Sequence, residues 1–131
     1  MTYVRQEEPT TAIFLNSKTC EIRDIIVDDY KDIQRYIGGH YCIAHVFDNG
    51  DTLMVDDEGL LKPHDKFVHV VGAHQPFAGN GVIVGPCDDE GEMLDCVGNA
   101  EYYKHRCQFL SLWEVRTMLD LDKYASEGFG A

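Results

Sequence analysis

Six histidines and five cysteines are the side chains best suited to chemistry in this 131-residue chain. Their densest grouping is His40, Cys42 and His45, residue types that hold zinc. On an extended strand His40 and Cys42 share one face and His45 occupies the other, so the three do not converge. There is no Cys-x-x-Cys pair, and His64, His69 and His74 are spaced by five, which fits neither helix nor strand period. The expectation is no metal and no cofactor, with the histidines solvated or half-buried.

Nucleophilic catalysis needs a thiol brought to a histidine base. Cys87 follows Pro86 in a turn and Cys107 lies near His105, but no oxyanion-hole motif accompanies either. The glycine-rich run Gly79 to Gly85 passes from loop into strand, whereas a phosphate loop passes from strand into a helix N-terminus. No catalytic residue is therefore assigned, and a hydrolase ranks third among the functional readings. An odd number of scattered cysteines (Cys20, Cys42, Cys87, Cys96, Cys107) fits reduced thiols in a cytoplasm, acting mainly as small buried hydrophobes.

Charge is the most unusual bulk property: 23 acidic residues against 11 basic, a formal net charge of -12. Eleven of those carboxylates fall between Asp48 and Asp95, against two lysines, Lys62 and Lys66. Such a field repels nucleic acid and anionic membrane, so neither is expected as a direct partner. The acidic turns do not have calcium-loop spacing. Their plain reading is solvated turn carboxylates that keep the protein soluble and guard sheet edges. Their functional reading is a partner-binding surface, Asp56, Asp57 and Glu58 with Asp88, Asp89 and Glu90. Spaced carboxylates of this kind imitate a phosphate track and occupy basic grooves. A second reading, from a different class, is a small-ligand protein that binds a nucleotide-type signal through the loop Gly72 to Gly81, using His74, Gln75 and Phe77.

The elements that must position these groups are legible in part. Ala12 to Leu15 and Cys20 to Val27 read as strands around the turn Asn16 to Thr19. Asp28 or Asp29 caps a short helix with Tyr30, Ile33 and Ile37 on one face, ended by Gly38. Tyr41 to Phe47 is apolar on both faces and reads as a central strand. Asn49-Gly50 offers a two-residue hairpin turn into Thr52 to Val55. Lys66 to Val71 and Val82 to Val84 are further strands. Asp56 to Gly59 and Asp88 to Gly91 both read as hairpin turns with glycine in the left-handed position. Asn99 caps a short helix over Ala100 to Arg106, and a strand follows over Cys107 to Leu110. Ser111 and Glu114 have capping-box spacing ahead of a helix from Leu112 to about Leu121, with Leu110 stapled to Val115.

The length is enough to bury roughly two-thirds of the unfolded surface in one core. The expected fold is a single α+β domain over residues 1–131, a mainly antiparallel sheet of five or six strands. One short helix, Asp29 to Ile37, follows the second strand, and both it and a C-terminal helix are expected to pack on the sheet. Residues 1–11 and 125–131 are expected to be loose. No run approaches the ~20 apolar residues of a membrane span, and the N-terminus lacks the apolar core of a secretory signal.

From Glu21 to Cys96 the chain resembles domain-of-unknown-function family 3846, found in bacteriophage, plasmid and bacterial genomes. The residues that carry the likeness are Tyr36-Ile37-Gly38-Gly39, the strand Cys42 to Phe47 with Asp48-Asn49-Gly50, and Asp56 to Leu60. Phe77-Ala78-Gly79, Val82 to Gly85 and Asp88 to Gly91 continue it. His40 and the region Lys62 to Gln75 depart from it. The resemblance implies no activity and carries over no catalytic residue. It implies a phage or mobile-element origin, and so a host cytoplasm. The leading functional reading is accordingly a non-enzymatic accessory protein that binds a host macromolecule through its acidic face, alone or as a homo-oligomer.

Overall fold

A computed structural model describes residues 9–59, 62, 64–73 and 75–118. The strands are β1 (Thr10–Asn16), β2 (Glu21–Val27), β3 (Tyr41–Val46), β4 (Thr52–Asp56), β5 (Lys66–Val70), β6 (Phe77–Ala78), β7 (Gly81–Val84) and β8 (Cys107–Ser111). Helix α1 spans Tyr30–Ile37, α2 spans Ala100–Lys104, and α3 covers residues 112–118. The α+β class holds. The strands divide between two antiparallel sheets, one of five strands in the order β2-β1-β7-β4-β3 and one of three in the order β6-β5-β8.

Period-two alternation explains the layering. Ala12, Phe14, Met54, Val82 and Val84 face one way and pack with Ile33 and Ile37 of α1. Their neighbours Ile13, Leu15, Leu53, Val55 and Ile83 face the other way, against Val68 and Val70 of β5 and Tyr103 of α2. Phe67, Leu110 and Ala78 form the outer face of the small sheet and meet Val115 of α3. The result is four layers: α1, the large sheet, the small sheet with α2, and α3.

Local chemistry sets the element ends. The Asp29 side chain accepts from Lys31 N–H while the Asp32 carboxylate accepts from Asp29 N–H, a reciprocal cap for α1. Asn99 caps α2 by accepting from Tyr102 N–H at 2.9 Å. Ser111 and Glu114 cap α3 as a reciprocal pair, 3.1 and 3.2 Å. All three caps stand where the sequence places them.

Three expectations are corrected. β3 is an edge strand, with Ile43 64% and Val46 59% exposed. The centre belongs to β7, whose four residues are all buried. Apolar character on both faces of β3 thus marks a strand leaning on the second sheet along one face and, beyond Tyr41, which stacks on Tyr30 of α1, open to solvent at Ile43 and Val46. Phe47 to Gly50 is a turn closed by Gly50 N–H to the Phe47 carbonyl, 3.0 Å, with Gly50 alone at positive φ (+95°). It is a longer loop ending in a left-handed glycine, because Asn49 keeps an ordinary φ and turns its side chain to Asp51 N–H instead. Of the two acidic turns, only Asp88 to Gly91 makes a hairpin, closed by the Cys87–Met93 bridge. Asp56 to Gly59 carries the chain out of the large sheet toward the small one, and Gly59 is not left-handed.

Residues 1–8, the tail 125–131 and the expected continuation of α3 to Leu121 lie outside the described residues.

Candidate functional site

β4 ends at Asp56, and the next three residues reach the gap where β3, the edge of the large sheet, meets β6, the edge of the small one. A cavity of about 300 Å³ opens there. Its apolar wall comes from Ala44, Val55, Pro76, Phe77 and Ala78, and its acidic side from Asp56, Asp57 and Glu58. Gln75 completes the mouth and is exposed. Of the ligand-binding residues expected from sequence, Gln75 and Phe77 line this cavity. His74 lies outside the described residues. Half of the expected partner-binding carboxylates, Asp56, Asp57 and Glu58, share the cavity with them.

These three carboxylates are not equivalent. Asp56 is buried and holds Lys62 Nζ at 2.6 Å and Glu58 N–H at 2.9 Å. Burial opposes its ionisation, yet the Lys62 ammonium and the Glu58 N–H together hold its carboxyl below the ordinary carboxylate value. Asp57 and Glu58 are exposed at the mouth. Cys42 sits on the same wall, where burial first and the neighbouring Asp57 second push its thiol above the ordinary value.

The other three expected carboxylates lie elsewhere. β4 and β7 are antiparallel neighbours, pairing Thr52 with Val84 and Val55 with Gly81. The turn after β4 and the turn after β7 therefore stand at opposite ends of the large sheet. Asp88 turns its carboxylate inward, accepting from Glu90 N–H and Glu92 N–H at 2.9 Å each, while Asp89 and Glu90 are exposed. The six carboxylates form two separate groups, not one face.

Asp51, between the Asn49-Gly50 turn and β4, is a fully inaccessible carboxylate. It accepts from Val97 N–H at 2.8 Å, Gly98 N–H at 2.9 Å, the Cys96 thiol at 3.2 Å and the Tyr103 hydroxyl. Asn49 donates to that same hydroxyl at 3.2 Å. Burial, and then the hydrogen bond to Asp51, push both the Cys96 thiol and the Tyr103 phenol far above their ordinary values. Four donors replace the water this carboxylate lost, so the cluster pins the 96–98 segment and α2 onto the large sheet. Its partners are 45 to 52 residues away in sequence, and no local signal announces them.

Among the described residues no group of three or more His, Cys, Asp or Glu side chains could hold a metal ion. His40 is exposed beside β3 and His45 packs edge-on against Phe47 with ring centroids 4.9 Å apart. No helix among the described residues is long and apolar enough to cross a membrane.

Fold and site together describe a small α+β protein built around two stacked antiparallel sheets, with an acidic cavity where their free edges meet. Residues 10–108 match the family described as "Domain of unknown function (DUF3846)", and the chain belongs to that family. The match takes in β1, α2 and the start of β8, beyond the stretch from Glu21 to Cys96 that carries the resemblance. No curated protein and no solved structure matches the chain.

Proposed function

We propose that this protein is a non-enzymatic binding protein that engages a basic segment of a host macromolecule, and that it is borne by a phage or other mobile element. The observation that carries the reading is the cavity at the meeting of the sheet edges. Exposed Asp57 and Glu58 stand at the mouth of a pocket whose wall is Ala44, Val55, Pro76 and Phe77. A lysine or arginine side chain has the matching chemistry. Its aliphatic stem packs on apolar surface, and the Phe77 ring adds attraction for its cationic head, which stays near the carboxylates. The exposed acidic residues Asp89 and Glu90, at the far end of the sheet, would steer such a partner without contacting the same segment.

The test is a pulldown from host lysate with the native chain and an Asp57→Asn/Glu58→Gln variant, washed across a salt series. Binding through the cavity falls steeply between low salt and about 0.5 M, where the screening length is only a few Å. The variant loses the partner at every salt concentration. Equal recovery of the same partner by both proteins, or a flat salt response, rejects the reading.

The cavity also favours a second reading, because Gln75 and Phe77 line it as a small-ligand protein would require. With Asp56 already paired to Lys62, exposed Asp57 and Glu58 favour a cationic ligand there over a phosphorylated one. Native mass spectrometry of the purified chain separates the two readings: a retained amine supports the second, and an added basic peptide that binds supports the first.

A further inference from the structure

Lys18, Arg35, Lys62 and Lys66 come from four separate parts of the chain and line one cleft of about 680 Å³. Lys18 lies in the β1–β2 turn, Arg35 in the last turn of α1, Lys62 between β4 and β5, and Lys66 at the start of β5. Only two carboxylates share the lining, Asp56 and Asp65. The chain as a whole carries 23 acids against 11 bases, so more than a third of its cationic side chains gather at this one place.

Part of that charge is already engaged. Asp56 holds Lys62, and Asp32 holds Arg35 across one turn of α1. The Arg35 side chain is 77% exposed, and a guanidinium has five N–H donors, so donors remain after that pairing. Lys18 and Lys66 are exposed and form no ion pair among the described residues. Lys66 does draw the Glu114 carboxyl downward, after the stronger pull of the Ser111 hydrogen bonds. Ser17 and Asn80 on the same wall are occupied by structure: Ser17 Oγ donates to the Gly79 carbonyl, and Asn80 Oδ1 accepts from Ser17 N–H at 2.8 Å. They hold the wall in place. His64 also lines this wall, half-buried, with its Nε2 turned away from solvent and without a hydrogen-bond partner among the described residues. Buried polar atoms in native proteins are seldom left so.

We propose that this cleft binds a small phosphorylated ligand of nucleotide size. Spare lysine ammonium groups and a partly engaged guanidinium are the donors that phosphate oxygens take. The volume falls within the roughly 300 to 1,000 Å³ of small-molecule sites. A long polyanion would have to cross the acidic remainder of the surface, whereas a compact ligand meets only the cationic lining. The site is separate from the acidic cavity, although Asp56 walls both. It does not depend on the partner proposed there.

Amide chemical shifts of the full-length, ¹⁵N-labelled chain titrated with ATP, inorganic pyrophosphate and a single-stranded oligonucleotide test the proposal. ATP is expected to give saturable shifts at Ser17, Lys18, Lys66 and Asn80, with pyrophosphate competing for them. Lys18→Gln/Lys66→Gln weakens ATP by at least about tenfold, as expected for two lost charged hydrogen bonds. Lys104→Gln, an exposed lysine of α2 outside the cleft, leaves binding unchanged. Both substituted lysines are exposed, and thermal unfolding confirms that the variant folds. If it does not, Lys18→Gln alone, in an exposed turn, gives the same comparison. Absent or unsaturable shifts at these residues, or equal affinity in the lysine variant, overturn the proposal. Tighter binding of the oligonucleotide than of ATP also overturns it and assigns the cleft to nucleic acid.

Discussion

The Lys62 ammonium lies 2.6 Å from Oδ2 of Asp56 and 3.4 Å from the Gly38 carbonyl, so one side chain ties the end of β4 to the end of α1. The pair stands between an acidic cavity and a basic cleft, and Asp56 belongs to the wall of each. It keeps the two charge environments apart within a few residues.

That pairing makes stability depend on acid. Burial opposes ionisation of Asp56, but Lys62 and the Glu58 N–H win and hold its carboxyl below the ordinary 3.8. A folded-state value depressed in this way contributes stability that is present above 3.8 and lost as pH falls through the folded value. Asp56→Asn should be less stable than the native chain at neutral pH. The difference should shrink as pH falls below the ordinary carboxylate range. Urea midpoints measured across an acid series check this, and a constant difference at every pH contradicts it.

Asp51 is the centre of the hydrogen-bonded cluster that joins β4 to the 96–98 segment and α2. Asp51→Asn keeps the shape but puts an amide donor against donors, leaving at least one of them buried and unpaired. The expected loss is upward of about 2 kcal/mol, since each orphaned buried donor costs about 1 to 3 kcal/mol and the hydrogen bonds that remain lose the carboxylate charge. Tyr103→Phe removes one of the four donors on Asp51 and the acceptor of the half-buried Asn49 amide, which can turn to water, and should cost less, about 1 to 2 kcal/mol. Chemical denaturation of both variants measures the order, and a Tyr103→Phe loss exceeding that of Asp51→Asn would contradict the assignment.

Alkaline pH should loosen the protein well before general base denaturation. Burial pushes the Cys107 thiol up to about 12, and burial with the Cys87 contact pushes the Tyr30 phenol up to about 12. Cys96 and Tyr103 are raised further. Values raised in the folded state give stability that is complete below the unfolded values, 9.0 for thiols and 10.0 for phenols, and lost as pH rises through the folded ones. Unfolding midpoints should fall from about pH 9 upward. A Cys107→Ala chain, lacking one of these groups, should show a shallower fall.

The α3 cap is the most local of the expectations. Ser111 Oγ accepts from Glu114 N–H at 3.2 Å, and the Glu114 carboxylate accepts from Ser111 N–H at 3.1 Å. Ser111→Ala should cost about 0.5 to 2 kcal/mol, typical of a lost N-cap. Amide exchange should quicken across residues 112–118 first, because Val115 is buried against Phe67 and Leu110 through this helix alone. Unchanged exchange there would mean that packing, not the cap, holds the helix.

Caps and short-period faces were readable because their physics is local. Asp29, Asn99 and the Ser111–Glu114 pair each act within four residues, and Ile33 with Ile37 declares the buried face of α1 by spacing alone. The α+β class followed from those pieces, whereas the family likeness rested on longer stretches such as Cys42 to Gly50 and Val82 to Gly85. Which strand lies at an edge was not readable. The two apolar faces of β3 look the same whether a neighbouring strand or open solvent lies beside it, and pairing between β4 and β7 joins residues about 30 apart.

The candidate sites divide in the same way. Asp56, Asp57 and Glu58 could be singled out as an acidic turn, and Gln75 and Phe77 as a loop, but only the stacking of two sheets puts them around one cavity. The separation of Asp88, Asp89 and Glu90 from that cavity follows from the antiparallel pairing of β4 and β7. Lys18, Arg35, Lys62 and Lys66 carry no sequence pattern at all. Their convergence, like the four donors on Asp51, is a matter of long-range packing: burial of apolar faces chooses the arrangement, and polar side chains meet wherever that arrangement leaves them.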